Sequence, residues 1–367
     1  MTPTLSQRYR AEGRGATSTC CRRDRTPVTL TEHSDAHRDC GSVIKVVLVG
    51  AGFIADLHLK AYLQVPDAQV VAVADVDARR AQQLAALAGG VRWATDYHEV
   101  LGLGDAVDIC TPSASHAEVG LAAAALGKPL HVEKPFALSL ADAERLLEAY
   151  ARTGLPLMAG QTERFSLIGR TLRAVVDSGE IGRLVLARIT RNHGHFWPGG
   201  WQGWQFDPAK SGGIFLHLGI HTLDLLLWLF DGAPRSIYAQ TQKRASGEME
   251  MSDYYQCVLK FQDERSAIAE LSYALPRLGD TYRAAMLVGT AGSATYNSAH
   301  DSFLLDDSGP HFWDEGLGPP LVRQLAHFVE CVQSGQQPLT TPAQIRTALR
   351  LALAADESAR TGRVIEL

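Results

Sequence analysis

The chain has 367 residues, 46% of them hydrophobic and 20% charged, with a formal net charge of −5. That length accommodates two domains with cores of their own, and a mildly acidic chain has no general attraction for nucleic acid or an anionic membrane surface. No apolar run approaches the ~20 residues of a membrane helix, since the longest candidate, Leu223–Phe230, is short and carries Asp224.

Residues 1–42 are rich in Arg, Thr, Ser and Asp and show no hydrophobic period. They lack the apolar stretch of a secretory signal, and Glu12, Asp24, Glu32, Asp35 and Asp39 argue against a transit peptide. A disordered extension without chemistry is expected there. Three of the six cysteines (Cys20, Cys21, Cys40) lie in it, while Cys110, Cys257 and Cys331 sit singly in hydrophobic segments, as small core residues do. Without a CxxC pair or disulfide framework, the cytoplasm is the expected compartment.

From Val43 the pattern alternates. Strands are predicted at Val43–Val49, Val70–Ala74, Ala106–Cys110, Leu130–Val132 and Pro156–Ala159. Helices are predicted between them at Phe53–Leu63, Arg79–Leu87, His116–Leu126 and Leu140–Arg152. Apolar strands alternating with amphipathic helices imply a doubly wound parallel sheet covered on both faces. After about Gln161 the grammar changes. A helix (Leu167–Asp177), a strand (Arg183–Arg191), a Gly- and Trp-rich loop and a long helix (Ile214–Phe230) precede five strands without helices between them. Two closing helices, Leu321–Ser334 and Pro342–Arg360, follow. The expectation is an α/β dinucleotide-binding domain over 43–162 and an α+β domain over 163–367 with a large, mostly antiparallel sheet.

Gly50-Ala51-Gly52-Phe53-Ile54-Ala55 is a GxGxxA that follows a strand and opens a helix. Gly50 permits the tight turn, and Gly52 lets backbone N–H groups approach a pyrophosphate held at the helix N-terminus. Asp75 ends the second strand, about twenty residues beyond Ala55, where a carboxylate binds the adenosine ribose diol. It would repel a 2′-phosphate, which favours NAD, although Arg79 and Arg80 keep NADP open. Thr111-Pro112-Ser113 closes another strand at the same edge, and by itself is only a turn.

His131-Val132-Glu133-Lys134-Pro135 runs a strand directly into Glu-Lys-Pro. With the glycine turn, with Thr111-Pro112 and His116, with Gly160 followed by Arg164-Phe165, and with Gly212-Gly213 leading into Leu218-Gly219-Ile220-His221, this resembles the Gfo/Idh/MocA family. The resemblance covers nearly everything from Val43 to Leu367. It implies hydride transfer between nicotinamide and a carbinol of a sugar, polyol or sugar derivative, and assembly into a dimer or tetramer through the C-terminal sheet. Within it, Phe53, Ile54, His116 and Glu133 are expected to line the cofactor, and Lys134 to touch both cofactor and substrate. A lysine at that strand end can polarise a carbonyl or stabilise an alkoxide, and the Lys134–Pro135 bond is a candidate for the cis form.

His217, His221 and Asp224 fall at i, i+4 and i+7 of the long helix. The family pattern is Asp-x-x-x-His, so His221 matches the proton-handling histidine, while His217 stands where Asp is usual and brings no fixed negative charge. Both are expected at the reaction centre. The pair also has metal-ligand spacing, with His193-Gly194-His195 upstream. No Glu follows the first His, no Cys is near, and nicotinamide chemistry needs no metal, so none is expected. The aromatic run from His195 offers flat faces for sugar rings, with Trp201 or Trp204 as substrate contacts. Arg164 is expected either to bind substrate or to brace the domain junction. Two rival functions stay open on this sequence: a redox-neutral enzyme that oxidises a sugar transiently on tightly held NAD, and a non-catalytic NAD-binding regulator.

Overall fold

The computed structural model describes residues 42–194, 203–243, 251–273, 275, 281–298, 305–306, 309–310 and 318–367. The chain first lays down β1 (Ile44–Val49), α1 (Phe53–Tyr62), β2 (Ala68–Ala74), α2 (Ala78–Leu87), β3 (Arg92–Ala94), β4 (Ala106–Ile109), α3 (His116–Ala125), β5 (Leu130–Val132), α4 (Leu140–Thr153) and β6 (Leu157–Ala159). These strands form one parallel sheet in the order β3-β2-β1-β4-β5-β6. Helices cover both faces, so Val46, Val47 and Leu48 are all fully buried and β1 is a continuous apolar run. The strand order reverses between β1 and β4, which opens a crevice at their carboxyl ends. The turns after β1, β4 and β5 all meet at that edge.

Helix limits follow the local chemistry. Ser139 caps α4 by accepting from the Asp142 N–H, and Gly154 ends it in the left-handed region at φ 69°.

The second sheet comes from α5 (Leu167–Asp177), β7 (Leu184–His193), α6 (Pro208–Ser211), a π-helical turn (Phe215–Gly219), α7 (Ile220–Phe230), β8 (Pro234–Gln242), β9 (Tyr254–Phe261), β10 (Ser266–Ser272), β11 (Thr281–Gly289) and β12 (Ser293–Asn297). Beyond these, β13 (Leu305–Asp306) and β14 (Gly309–Pro310) pair with each other, and α8 (Gly318–Ser334), α9 (Pro342–Thr361) and β15 (Ile365–Glu366) follow. The order is β12-β11-β7-β10-β9-β8-β15. All pairs are antiparallel except β7 with β10. That pair is parallel because the chain crosses back through α7, and two successive reversals then return β10 to the sense of β7. Ala187, Ile189, Ala267, Ala269, Cys257 and Leu259 face the helices as the core, whereas Tyr238 and Val258, cross-strand partners, are exposed.

Helix α8 does not stay with the second sheet. Its Leu321, Leu325, Phe328 and Val329 pack in one buried cluster with Val46 and Leu48 of β1 and Leu59 and Tyr62 of α1.

Five short elements, β3, α6, β13, β14 and β15, escape a reading by periodicity because each holds two to four residues. The expected continuous helix over 214–230 is corrected to a π-turn followed by an α-helix.

Candidate active site

Gly50 has φ 103°, and a Cβ there would lie 2.6 Å from the carbonyl carbon and oxygen of Cys110, so β1 and β4 reach the crevice only with glycine at this turn. Gly52 caps α1 without a side-chain hydrogen bond, and nothing lies within 4 Å of where its Cβ would be. There is thus room beside Gly52 at the start of α1, next to Phe53 and Ile54, an arrangement suited to a pyrophosphate. Asp75, just past β2, accepts from the Ala51 N–H at 2.7 Å and the Asp77 N–H at 2.8 Å, which fixes its carboxylate beside the turn. These residues fit a dinucleotide, and Asp75 is the group that would hold its adenosine ribose.

Thr111 and Pro112 follow β4. The His116 ring is 1% exposed, with Nδ1 2.8 Å from the Pro135 oxygen and Nε2 2.9 Å from the Thr111 oxygen. It was expected to line the cofactor pocket. Buried with both nitrogens engaged, it ties the turn after β4 to the turn after β5, where the Lys134–Pro135 bond is cis.

Glu133 is buried behind Lys134. Its Oε2 accepts from the Lys134 N–H at 3.2 Å and its Oε1 lies 3.1 Å from His58 Nε2. The other His58 nitrogen is 2.7 Å from Asp108, whose second oxygen is 2.7 Å from His131 Nδ1. His131 Nε2 meets the Gln324 amide of α8 at 2.7 Å. Burial opposes a charged His58, but the Asp108 carboxylate outweighs it and holds the imidazolium well above its usual range. His58, Asp108 and His131 have ligand atoms close enough together for a metal. Each of their ring nitrogens is already hydrogen-bonded.

Lys134 Nζ crosses from the first sheet's edge to the second sheet's helix and donates to the His217 carbonyl oxygen at 2.7 Å. Burial pushes its ammonium down to about 8, with Arg191 adding to the push and Glu133 opposing it. His217 is buried, with Trp204 edge-on to its ring at a centroid distance of 6.0 Å. Burial and then the Lys134 charge hold His217 and His221 well below the usual imidazole range, so both rings are neutral near pH 7. Among the described residues His221 Nδ1 has no hydrogen-bond partner. Lys134, His217, His221 and Trp204 thus converge on one place. Trp201 and His195 lie outside the described residues.

Arg164 is not there. Its side chain is fully buried, with Nε and Nη2 each 2.7 Å from the Asp224 carboxylate and Nη1 bonded to Leu339 O and Gln344. Of the two roles expected for it, its contacts match the brace, because Nε, Nη1 and Nη2 are all engaged with Asp224, Leu339 and Gln344.

Sequence reasoning missed two groups. The His58–Asp108–His131 network joins α1, β4, β5 and α8, and no single segment announces it. Arg191 on β7 and Arg283 on β11 both lean on Glu163. Arg191 stands in the inward column Ala187, Ile189, Arg191, His193, and a charge in an apolar column is a signal that a period-2 reading offers.

A doubly wound sheet with a glycine turn, an acid at the second strand end, and a lysine facing a histidine-bearing helix defines an NAD-binding oxidoreductase. Residues 44–161 match the model of the oxidoreductase family with an NAD-binding Rossmann fold, and residues 170–295 match the GFO/IDH/MocA C-terminal domain. The chain belongs to the Gfo/Idh/MocA family. It is 29% identical over 344 residues to scyllo-inositol 2-dehydrogenase (NAD(+)) of Bacillus subtilis, covering 88% of this chain and 96% of that one. It is 27% identical to D-apiose dehydrogenase of Paraburkholderia graminis, covering 88% and 89%. An oxidoreductase from Agrobacterium radiobacter, solved with NAD+, L-tartaric acid and magnesium, superposes with a TM-score of 0.72 at 25% identity, covering 89% of this chain and 98% of that one.

Proposed function

We propose that this chain transfers hydride between NAD and a carbinol carbon of a sugar, inositol or sugar derivative, with Lys134 and His221 as catalytic residues and His217 beside them. Bound NAD supplies the hydride acceptor. His221, held neutral by burial, takes the hydroxyl proton, and the Lys134 ammonium stabilises the oxygen as charge develops on it. Trp204 offers an apolar face to the ring. The observation that carries this reading is the 2.7 Å bond from Lys134 to the helix that bears both histidines. The names of the inositol and apiose dehydrogenases support a polyol or sugar substrate.

The dinucleotide would rest over 43–162 and the substrate against 163–367. The exposed pair Tyr238 and Val258 on the outer face of the second sheet supports self-association there. A panel of sugars, inositols and sugar acids with NAD+ and NADP+, read at the reduced-nicotinamide absorbance, tests the activity. No absorbance change with any member, and no affinity for either dinucleotide, would overturn it.

A further inference from the structure

Arg191 and Arg283 sit directly opposite each other on β7 and β11, both on the face toward the helices. Like charges so placed repel. A single carboxylate serves both: Glu163 Oε1 is 2.9 Å from Arg191 Nη2 and 3.8 Å from Arg283 Nη1. The cluster therefore carries one positive charge in excess.

Arg191 is 6% exposed, yet among the described residues its Nε and Nη1 have no hydrogen-bond partner, and neither has Arg283 Nε. Guanidinium is always charged, and buried donors left unmade are costly enough that native proteins seldom keep them without use. A small cavity of about 20 Å³ adjoins them, bordered by Glu163, Arg191 and Arg283. The Arg191 charge also reaches the reaction centre, where it helps push Lys134 and His221 toward their neutral forms. Near pH 7 the histidines are neutral there, so they neither add to this excess nor offset it. NAD+ brings a further positive ring when it binds.

An unbalanced guanidinium with free donors in its plane suits a carboxylate, which accepts charge-assisted hydrogen bonds from it. We propose that the substrate is a sugar acid whose carboxylate seats on Arg191, with Arg283 beside it, while a carbinol carbon of the same molecule faces Lys134 and His221. This rests on the dehydrogenase reading above and names the class of substrate for it.

The test uses matched pairs, D-gluconate with D-glucitol and D-glucuronate with D-glucose, in two measurements. The first is kcat/KM with NAD+; the second is the Tm of the NADH-loaded enzyme with each compound added, which reads binding without turnover. In the wild type the acid is expected to exceed its neutral partner at least tenfold in kcat/KM for one pair. Arg191→Met should lower that acid-to-neutral ratio at least tenfold, and Arg191→Lys, which keeps the charge but not the fork, should fall between. Neutral compounds turned over as well as acids, or a ratio unmoved by Arg191→Met, would overturn the proposal while leaving the dehydrogenase reading intact. If neither compound of any pair is turned over, but the acids raise Tm through Arg191 and the neutral partners do not, the carboxylate site stands and the dehydrogenase reading falls. Neither turnover nor a Tm response overturns the proposal as well.

Discussion

Lys134 donates to the main-chain oxygen of His217, not to its ring. The anchor for the ammonium is therefore a carbonyl of the π-turn, a place where the hydrogen-bond ladder is irregular. That anchor is main chain, so it does not depend on which side chain stands at 217. His217→Ala is expected to keep Lys134 in place and lower kcat by less than ~10-fold. Lys134→Ala removes the charge itself and is expected to lower kcat by ~10²–10³-fold with little change in NAD affinity. Steady-state kinetics with a fluorescence titration of NADH check both. A dinucleotide Kd that worsens as much as kcat falls would assign Lys134 to cofactor binding alone.

The rate of alcohol oxidation should plateau from mildly acid pH up to about 8. Burial lowers His221, so its base form persists on the acid side, and Lys134 loses its proton near 8, so the rate declines above that. Lys134→Arg stays charged and should carry the plateau to higher pH. A kcat/KM profile from about pH 5.5 to about 10 covers the plateau and the alkaline limb, and an alkaline limb that persists in Lys134→Arg would point to another group.

Asp75 is pinned beside the glycine turn by two backbone N–H groups. Asp75→Ser removes the charge that repels a 2′-phosphate and is expected to lower the NAD-to-NADP ratio of kcat/KM at least ~10-fold. The comparison is made with one substrate and both cofactors.

Arg164 and Asp224 form a buried, bidentate pair. Arg164→Met strands the Asp224 carboxylate and should cost ~3–5 kcal/mol, seen as a lower urea midpoint at unchanged m. Arg164→Met with Asp224→Leu should recover much of that loss, because no unpaired charge remains. A double variant no more stable than the single one would show that Gln344 and the Leu339 carbonyl, not Asp224, account for the cost.

His58 contributes stability with a defined sign. Its folded-state pKa lies above the usual 6.5, since Asp108 outweighs burial. The contribution is complete below about 6.5 and disappears as pH rises through the elevated folded value. The Tm of the wild type should therefore fall more steeply than that of His58→Gln on the alkaline side. Parallel curves from differential scanning calorimetry would assign the network no linked proton.

The residues legible in the sequence are those whose meaning is local. Gly50, Gly52, Asp75, Thr111 and Lys134 each lie just past a strand, and the strand order alone brings them to one edge. His221 was legible by register with a family pattern. What stayed hidden needs partners far along the chain. Arg191 meets Arg283 only through strand pairing, and His58 acquires its charge from Asp108, on a strand that covers no part of α1's own sequence. Arg164 looked like a site residue because Asp224, sixty positions away, is invisible as its partner in a linear reading. The π-turn escaped because the apolar spacing around Phe215 suits an α-helix equally well.

The seating of α8 against α1 and β1 sets the order in which this molecule can be completed. During synthesis, the dinucleotide-binding half emerges with Leu59, Tyr62 and their neighbours bare on one side, and they remain so until residues 318–334 leave the ribosome. Gln324, carried on that same helix, is also the last contact of the histidine network behind Glu133. The earliest-made half thus acquires its finished form from one of the latest segments, and a fragment cut between the sheets should expose a greasy flank rather than behave as an autonomous NAD-binding module.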